Sequence, residues 1–157
     1  MIRKKLKVIF LDFDGVLNNE GSFKGMKMDP IDLDAVKLLN GLIKDTDACI
    51  VISSTWRIGQ SLHWLQLMMV NAGFESPEKI IGATMEISNK TNGGIWVSKT
   101  RGQEIALWLE QVSVDSFVIL DDEDDMDPVK DHLVQTTFKT GLLPEHIEQA
   151  KKMLNIL

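Results

Sequence analysis

Lys7-Val8-Ile9-Phe10-Leu11-Asp12-Phe13-Asp14-Gly15 is the stretch that decides the fold. Its apolar run is short, rich in Val, Ile and Phe, and lacks the polar alternation of a half-exposed strand. It therefore reads as a strand buried on both faces over Lys7 to Leu11. Asp12-Phe13-Asp14-Gly15 then stops it in a polar turn. The same signature returns at Ala48 to Ile52, ended by Ser53-Ser54-Thr55, and at Phe117 to Leu120, ended by Asp121-Asp122. Lys79 to Ile81 and His132 to Thr136 are weaker strand candidates.

Helical patterns fill the intervals. Asp29 as N-cap and Pro30 at the first helical position open one that ends near Lys44, with Ala35, Leu38, Leu39 and Leu42 on one face. A second runs from Trp56 to Asn71, turning Leu62, Leu65 and Met69 inward, with Gly73 just beyond its end. Thr100-Arg101-Gly102-Gln103 fits a capping box and is followed by Ile105, Trp108, Leu109 and Val112 at helical spacing. Pro144 opens the last, with Ile147, Ala150 and Leu154 on its apolar face. Strand and helix alternating through one chain predict a three-layer, Rossmann-like α/β sandwich with a mainly parallel sheet. No repeat, linker or composition shift interrupts the 157 residues, so 1–157 is expected to form a single domain.

Composition narrows the function classes. Hydrophobic residues make up 44% and charged residues 25%, in the globular range. No apolar run is long enough to span a bilayer. The basic start Met1-Ile2-Arg3-Lys4-Lys5 is followed by an apolar stretch too short for a signal peptide, so a cytoplasmic protein is expected. The single cysteine, Cys49, rules out an internal disulfide and a thiolate metal centre, and its apolar neighbours read it as a buried thiol. His63, His132 and His146 are isolated, with no metal-binding spacing. Of the 23 acidic residues, six fall between Asp121 and Asp127, and the rest of the chain balances at 17 basic against 17 acidic. With no overall basic footprint, any nucleic-acid contact must be local.

In parallel sheets ligands bind at the carboxyl ends of the strands. Asp12, Asp14, Asp121 and Asp122 would meet there, near Ser53, Ser54 and Thr55. Converging carboxylates repel unless a proton or cation compensates them, and the hard ion suited to oxygen ligands and phosphate is Mg²⁺. Lys99 and Arg101 flank the start of a capped helix, whose free N–H groups favour an anion such as phosphate. A carboxylate nucleophile, a charge-neutralising metal and donors around the phosphoryl oxygens are the parts for phosphoryl transfer through an acyl-phosphate. Asp14, two residues on, is placed to protonate the leaving oxygen and later to activate water.

These residues resemble the haloacid dehalogenase (HAD) superfamily of phosphotransferases. Asp12-Phe13-Asp14-Gly15-Val16-Leu17 looks like its first motif, Ser53 after Ile50-Val51-Ile52 its second, a basic residue opening a helix its third, and Asp121-Asp122 its fourth. The resemblance implies Asp12 as nucleophile and Asp14 as general acid and base. It implies Mg²⁺ held by Asp12, the backbone carbonyl of Asp14, and Asp122, with Asp121 beside them. It makes Ser53 a phosphate ligand, with Ser54 or Thr55 as alternatives. The third-motif residue is normally Lys; here Arg101 is favoured as the first helical residue, with Lys99 the alternative. Asp125 is a further candidate near the metal. An acidic residue two positions after the nucleophile is the pattern of the family's phosphatases.

Ile52-Ser53-Ser54-Thr55-Trp56-Arg57, Arg101-Gly102-Gln103-Glu104-Ile105 and the late Gly141-Leu142 look like a small HAD branch associated with RNA-repair and phage proteins. This resemblance suggests a nucleic-acid end or a nucleotide as the phosphorylated substrate; the lack of a long apolar run argues against a membrane partner. The intervals 16–29 and 84–99, the latter with an Asn92-Gly93-Gly94 turn, are too short for a full cap domain. An open site admits a large substrate. Trp56 and Arg57 are candidates for base stacking and backbone-phosphate contact, against a packing role. The rival readings are a general small-molecule phosphatase and a non-catalytic module that binds metal or phosphate.

Overall fold

Lys7–Leu11 forms β1 at the centre of the sheet, which accounts for its unbroken hydrophobicity: Val8, Ile9, Phe10 and Leu11 are all fully buried. The computed structural model describes residues 3–23, 31–90, 93, 94 and 96–155. After β1 come α1 (Leu33–Thr46), β2 (Cys49–Ile52), α2 (Leu62–Asn71), β3 (Ile80–Ala83), β4 (Ser88–Lys90) and β5 (Trp96–Ser98). Then follow α3 (Arg101–Gln111), β6 (Ser116–Asp121), β7 (Leu133–Gln135) and α4 (Pro144–Leu154). Five strands make an all-parallel sheet in the order β3-β2-β1-β6-β7, and β4 and β5 pair as a separate antiparallel ribbon. This is the expected Rossmann-like α/β architecture.

The two faces of the sheet are covered differently. Leu39 and Leu42 of α1, Met69 of α2 and Ala150 of α4 pack with Ile9, Leu11, Ile50 and Ile52 on one face. On the other, Ile105 of α3 and Met126 meet Val8, Phe10, Val51 and Ile119. Trp108 stands edge-on to Phe10 there, with ring centroids 5.4 Å apart.

Register decides which side chains reach the carboxyl edge. Leu11 pairs with Ile52 on one side and with Leu120 on the other. The ladder then runs one residue further. The N–H of Asp12 donates to the Leu120 carbonyl at 3.0 Å, that of Ser53 to Leu11 at 3.0 Å, and that of Thr84 to Ile52 at 2.9 Å. Thr84, Ser53, Asp12 and Asp121 thus stand in a row. By the two-residue period of a strand they share the face of Phe10, Val51 and Ile119, the side covered by α3. The chain moves outward from β1 to β3 and returns through α3 to β6, so the connection reverses between β1 and β6, where Asp12 and Asp121 emerge.

Several boundaries differ from the sequence reading. α1 starts at Leu33, capped by Asp32, whose side chain accepts the Asp34 N–H; Asp29 and Pro30 lie outside the described residues, as does Asn92 of the turn expected near Gly93. The helix expected over Trp56 to Asn71 is two elements. A short 3₁₀ turn, Thr55–Arg57, is followed by a bend through Gly59 at φ +74°, and α2 begins anew with Ser61 as its cap. Ser54 and Ser61 each offer a side-chain oxygen to a backbone N–H two or three residues on, and that competition breaks the helix. Leu62, expected inside, is consequently exposed. Cys49 is half-buried rather than buried, and burial pushes its thiol up. Between β3 and α3 the described residues carry only the β4–β5 ribbon. No helix among the described residues is long and apolar enough to cross a membrane.

Candidate active site

Asp12 and Asp121 leave neighbouring strands side by side, and both are buried, 3% and 0% exposed. Two carboxylates so placed need a positive partner, which α3 provides. Thr100 caps this helix in a complete capping box with Gln103, so its first residue, Arg101, is fixed over the row. Arg101 Nη1 donates to Asp121 Oδ2 at 2.8 Å and lies 3.2 Å from Asp12 Oδ2. Burial pulls this guanidinium down, yet Asp121 and Asp12 outweigh it and hold it charged. One guanidinium does not neutralise the cluster. Burial, reinforced by Asp121 and opposed by Arg101, pushes Asp12 up to about 8. Asp122 is raised to about 6 by burial and by Asp121 and Glu123.

Asp122 reaches this cluster because residue 15 has no side chain. Gly15 sits at φ +78°, and a Cβ there would stand 2.3 Å from Asp122 Oδ2. One oxygen from each of Asp12, Asp121 and Asp122 lies within 4.8 Å of the others. An all-oxygen, anionic donor set in which Asp12 and Asp122 are pushed up by burial and by neighbouring charge fits a hard divalent cation such as Mg²⁺.

Asp14 has a different environment. Its Oδ1 accepts from Asn18 Nδ2 at 2.9 Å and its Oδ2 from the indole Nε1 of Trp56 at 3.1 Å. Its carboxylate is therefore anchored from two directions, outside the trio.

Ser53 stands beside Asp12 in the row, fully buried, and its hydroxyl has no hydrogen-bond partner among the described residues. Thr84, one strand further out, is the same. A buried hydroxyl left unsatisfied costs about 1–3 kcal/mol, and native folds seldom keep one without a ligand or function.

Of the two basic candidates, Arg101 is in the cluster. Lys99 forms no ion pair among the described residues and lines a cleft of about 230 Å³ with Thr55, Arg57 and Arg101. Asp125 holds the start of α3: its carbonyl accepts the Gly102 N–H at 3.0 Å. Gly102 permits this approach, since a Cβ there would lie 2.3 Å from the Met126 carbonyl carbon. The acidic run is thus partly structural, with Met126 fully buried in it.

Arg57 is buried, and its guanidinium is taken up by the protein's own groups. Its guanidinium donates to the carbonyls of Thr84, Ser53 and Ser54 and pairs with Glu104 at 3.1 Å, while Glu104 also accepts the Ile87 N–H at 3.0 Å. The pair ties the turn carrying Ser53 to α3, which carries Arg101.

A family model described as the HAD domain in Swiss Army Knife RNA repair proteins matches residues 8–147. The chain belongs to this HAD family. No curated protein shows a significant match to it. Membership implies a phosphatase-type hydrolase with a phosphorylated substrate, and the acidic trio at the β1/β6 reversal is compatible with that chemistry. The HAD match begins inside β1 and ends inside α4, so it spans the whole sheet.

Sequence reasoning missed the functional surroundings of these residues. Asn18 and Thr84 carried no local signal. Trp56 and Arg57 stood out as residue types, but their partners lie 42 and 47 positions away, at Asp14 and Glu104.

Proposed function

We propose that this protein is a Mg²⁺-dependent phosphomonoesterase that acts through an aspartyl-phosphate on Asp12, with nucleic-acid ends or nucleotides as its substrates. The observation that carries the reading is the row at the carboxyl edge. Buried Asp12 lies between a carboxylate partner, an arginine and an unsatisfied serine hydroxyl. Mg²⁺ held by Asp12, Asp121, Asp122 and the backbone carbonyl of Asp14 would supply the positive charge that keeps Asp12 ionised and offsets the phosphoryl charge.

Asp12 attacks phosphorus, a P–O bond to its carboxylate forms, and the bond from phosphorus to the substrate oxygen breaks. Asp14 passes its proton to that oxygen, making a neutral hydroxyl leaving group. Asp14, now a carboxylate, takes a proton from water, whose oxygen attacks the aspartyl-phosphate. Inorganic phosphate leaves, and Asp12 and Asp14 return to their starting states. Ser53, Arg101 and Lys99 hold the phosphoryl oxygens, where charge is spread as the bonds exchange.

Two features support a nucleic-acid substrate. The family's description names RNA repair proteins, and among the described residues only the β4–β5 ribbon stands between β3 and α3. The chain's net charge of -6, with no overall basic footprint, fits recognition of a terminal phosphate rather than of a long backbone. The test is Mg²⁺-dependent phosphate release from 3′- and 5′-phosphorylated oligonucleotides, mononucleotides and sugar phosphates. Preference for one oligonucleotide end supports the reading. Faster turnover of sugar phosphates overturns its substrate part, and release from none of them by folded protein overturns the whole.

The cluster also predicts a pH-dependent response to the metal. The folded-state pKa values of Asp12 and Asp122, about 8 and about 6, lie above the ordinary carboxylate value of 3.8. Groups raised on folding contribute stability below their unfolded pKa and lose it as pH rises through the folded value. Metal-free protein should therefore weaken between about pH 4 and pH 8, as both carboxylates ionise next to Asp121. Mg²⁺ binds the ionised form, so the rise in melting temperature it gives should be larger at about pH 8 than at about pH 5.5. A rise independent of pH would mean that the cation binds elsewhere.

A further inference from the structure

The half-buried indole of Trp56 is turned onto Asp14. Nε1–H donates to Asp14 Oδ2 at 3.1 Å, the ring sits edge-on to Phe13 with centroids 5.2 Å apart at 85°, and the backbone N–H of Trp56 is held by Ser54 Oγ at 3.3 Å. The ring plane is thereby fixed. On the opposite oxygen, Asn18 Nδ2 donates at 2.9 Å, and Asn18 is itself oriented because its Oδ1 accepts the Gly15 N–H at 2.9 Å. Asn18 is fully buried. Asp14 follows the end of a strand in a turn, and without these donors nothing among the described contacts would fix its side-chain torsions.

We infer that Trp56 is a positioning residue for proton transfer: with Asn18 it holds the Asp14 carboxyl group at one orientation, facing the oxygen that leaves with the substrate. The inference rests on the phosphatase reading and deepens it. Trp56 lies three residues after Ser53 on the same turn. That turn therefore holds both the hydroxyl that has no partner and the indole that steadies the acid. A general acid is effective only within hydrogen-bond reach of the oxygen it protonates, and misplacement by an ångström or so is costly.

Leaving-group dependence separates this role from a scaffolding one. Expulsion of p-nitrophenolate needs little protonation, whereas expulsion of a ribose or alkyl alkoxide needs it fully. Trp56→Phe keeps an aromatic ring beside Phe13 and removes the N–H together with part of the indole's bulk. The kcat/KM of Trp56→Phe should fall on a nucleoside monophosphate or alkyl phosphate by about tenfold more than on p-nitrophenyl phosphate. Trp56→His, which can restore a ring N–H, should recover part of that difference. Mg²⁺-induced thermal stabilisation should be retained in both variants, showing that the fold and the acidic trio are intact. An equal loss on both substrate types would make Trp56 a packing residue and overturn the inference while leaving the phosphatase reading in place. Absence of phosphate release by the unmodified protein would overturn both. Should Trp56→Phe fail to fold, Asn18→Asp replaces the donor to Oδ1 with an acceptor, and an equal loss on the two substrate types there would likewise count against it.

Discussion

Asp12→Asn is expected to abolish phosphate release, by about 10⁴-fold or more, while leaving the metal-free protein as stable as the parent at pH 7 to 8, or more stable. The two effects have one cause. Asp12 is buried against Asp121, and its pKa is pushed up to about 8, so near neutral pH the folded state must hold a proton that the unfolded chain gives up, which costs stability. Asparagine has nearly the same shape and no charge to desolvate. Arg101 is expected to keep its bond to Asp121, 2.8 Å in the parent, in the variant. A nucleophile can thus be a burden on stability, and the signature is loss of activity with a melting temperature that does not fall. If activity survives, another group attacks phosphorus; if the protein melts much earlier, Asp12 is a structural residue and the site has been misread.

Arg57→Ala is expected to have the largest effect on stability, about 3–5 kcal/mol by chemical denaturation, because it leaves Glu104 charged, buried and unpaired. The arginine and glutamate side chains are only 5% and 8% exposed. The carbonyls of Ser53, Ser54 and Thr84 lose their donor as well. Breaking one member of such a pair costs more than replacing both. The double variant Arg57→Met with Glu104→Leu should therefore recover a substantial part of the loss, although the three carbonyls remain unsatisfied. A small effect of Arg57→Ala would mean that water enters and solvates Glu104. Because the pair joins the Ser53 turn to α3, activity in Arg57→Ala should fall even at temperatures where the variant is folded.

The central strands could be read from sequence because they are buried on both faces, so apolarity alone marks them, and their polar terminators fall one residue past the aligned ends of β1, β2 and β6. Asp12, Ser53 and Asp121 stood out for the same reason. Arg101 was legible through Thr100 and Gln103, a local cap that fixes a helix start. What could not be read depends on distant pairing. The Trp56 indole and the Arg57 guanidinium follow each other in sequence, yet one serves Asp14 and the other is locked to Glu104. The break before α2 falls at Gly59-Gln60-Ser61, where Gly59 has a positive φ and Ser61 caps the new helix, while the apolar spacing runs through it without interruption. His146 looked isolated, but its Nδ1 accepts the Leu143 N–H at 2.9 Å and helps close the start of α4. Gly15 reads as a turn residue in any sequence; its need for space beside Asp122 is visible only in three dimensions.

The most direct test of the account is to trap the covalent intermediate. Protein turning over a phosphorylated oligonucleotide with Mg²⁺ is quenched in acid and reduced with borohydride, which converts an aspartyl-phosphate to homoserine, and the peptides are sequenced by mass spectrometry. The account predicts homoserine at position 12 and at no other aspartate, and none when substrate is omitted. Steady phosphate release with position 12 recovered only as aspartate, or with homoserine at Asp14 or Asp121 instead, would contradict it.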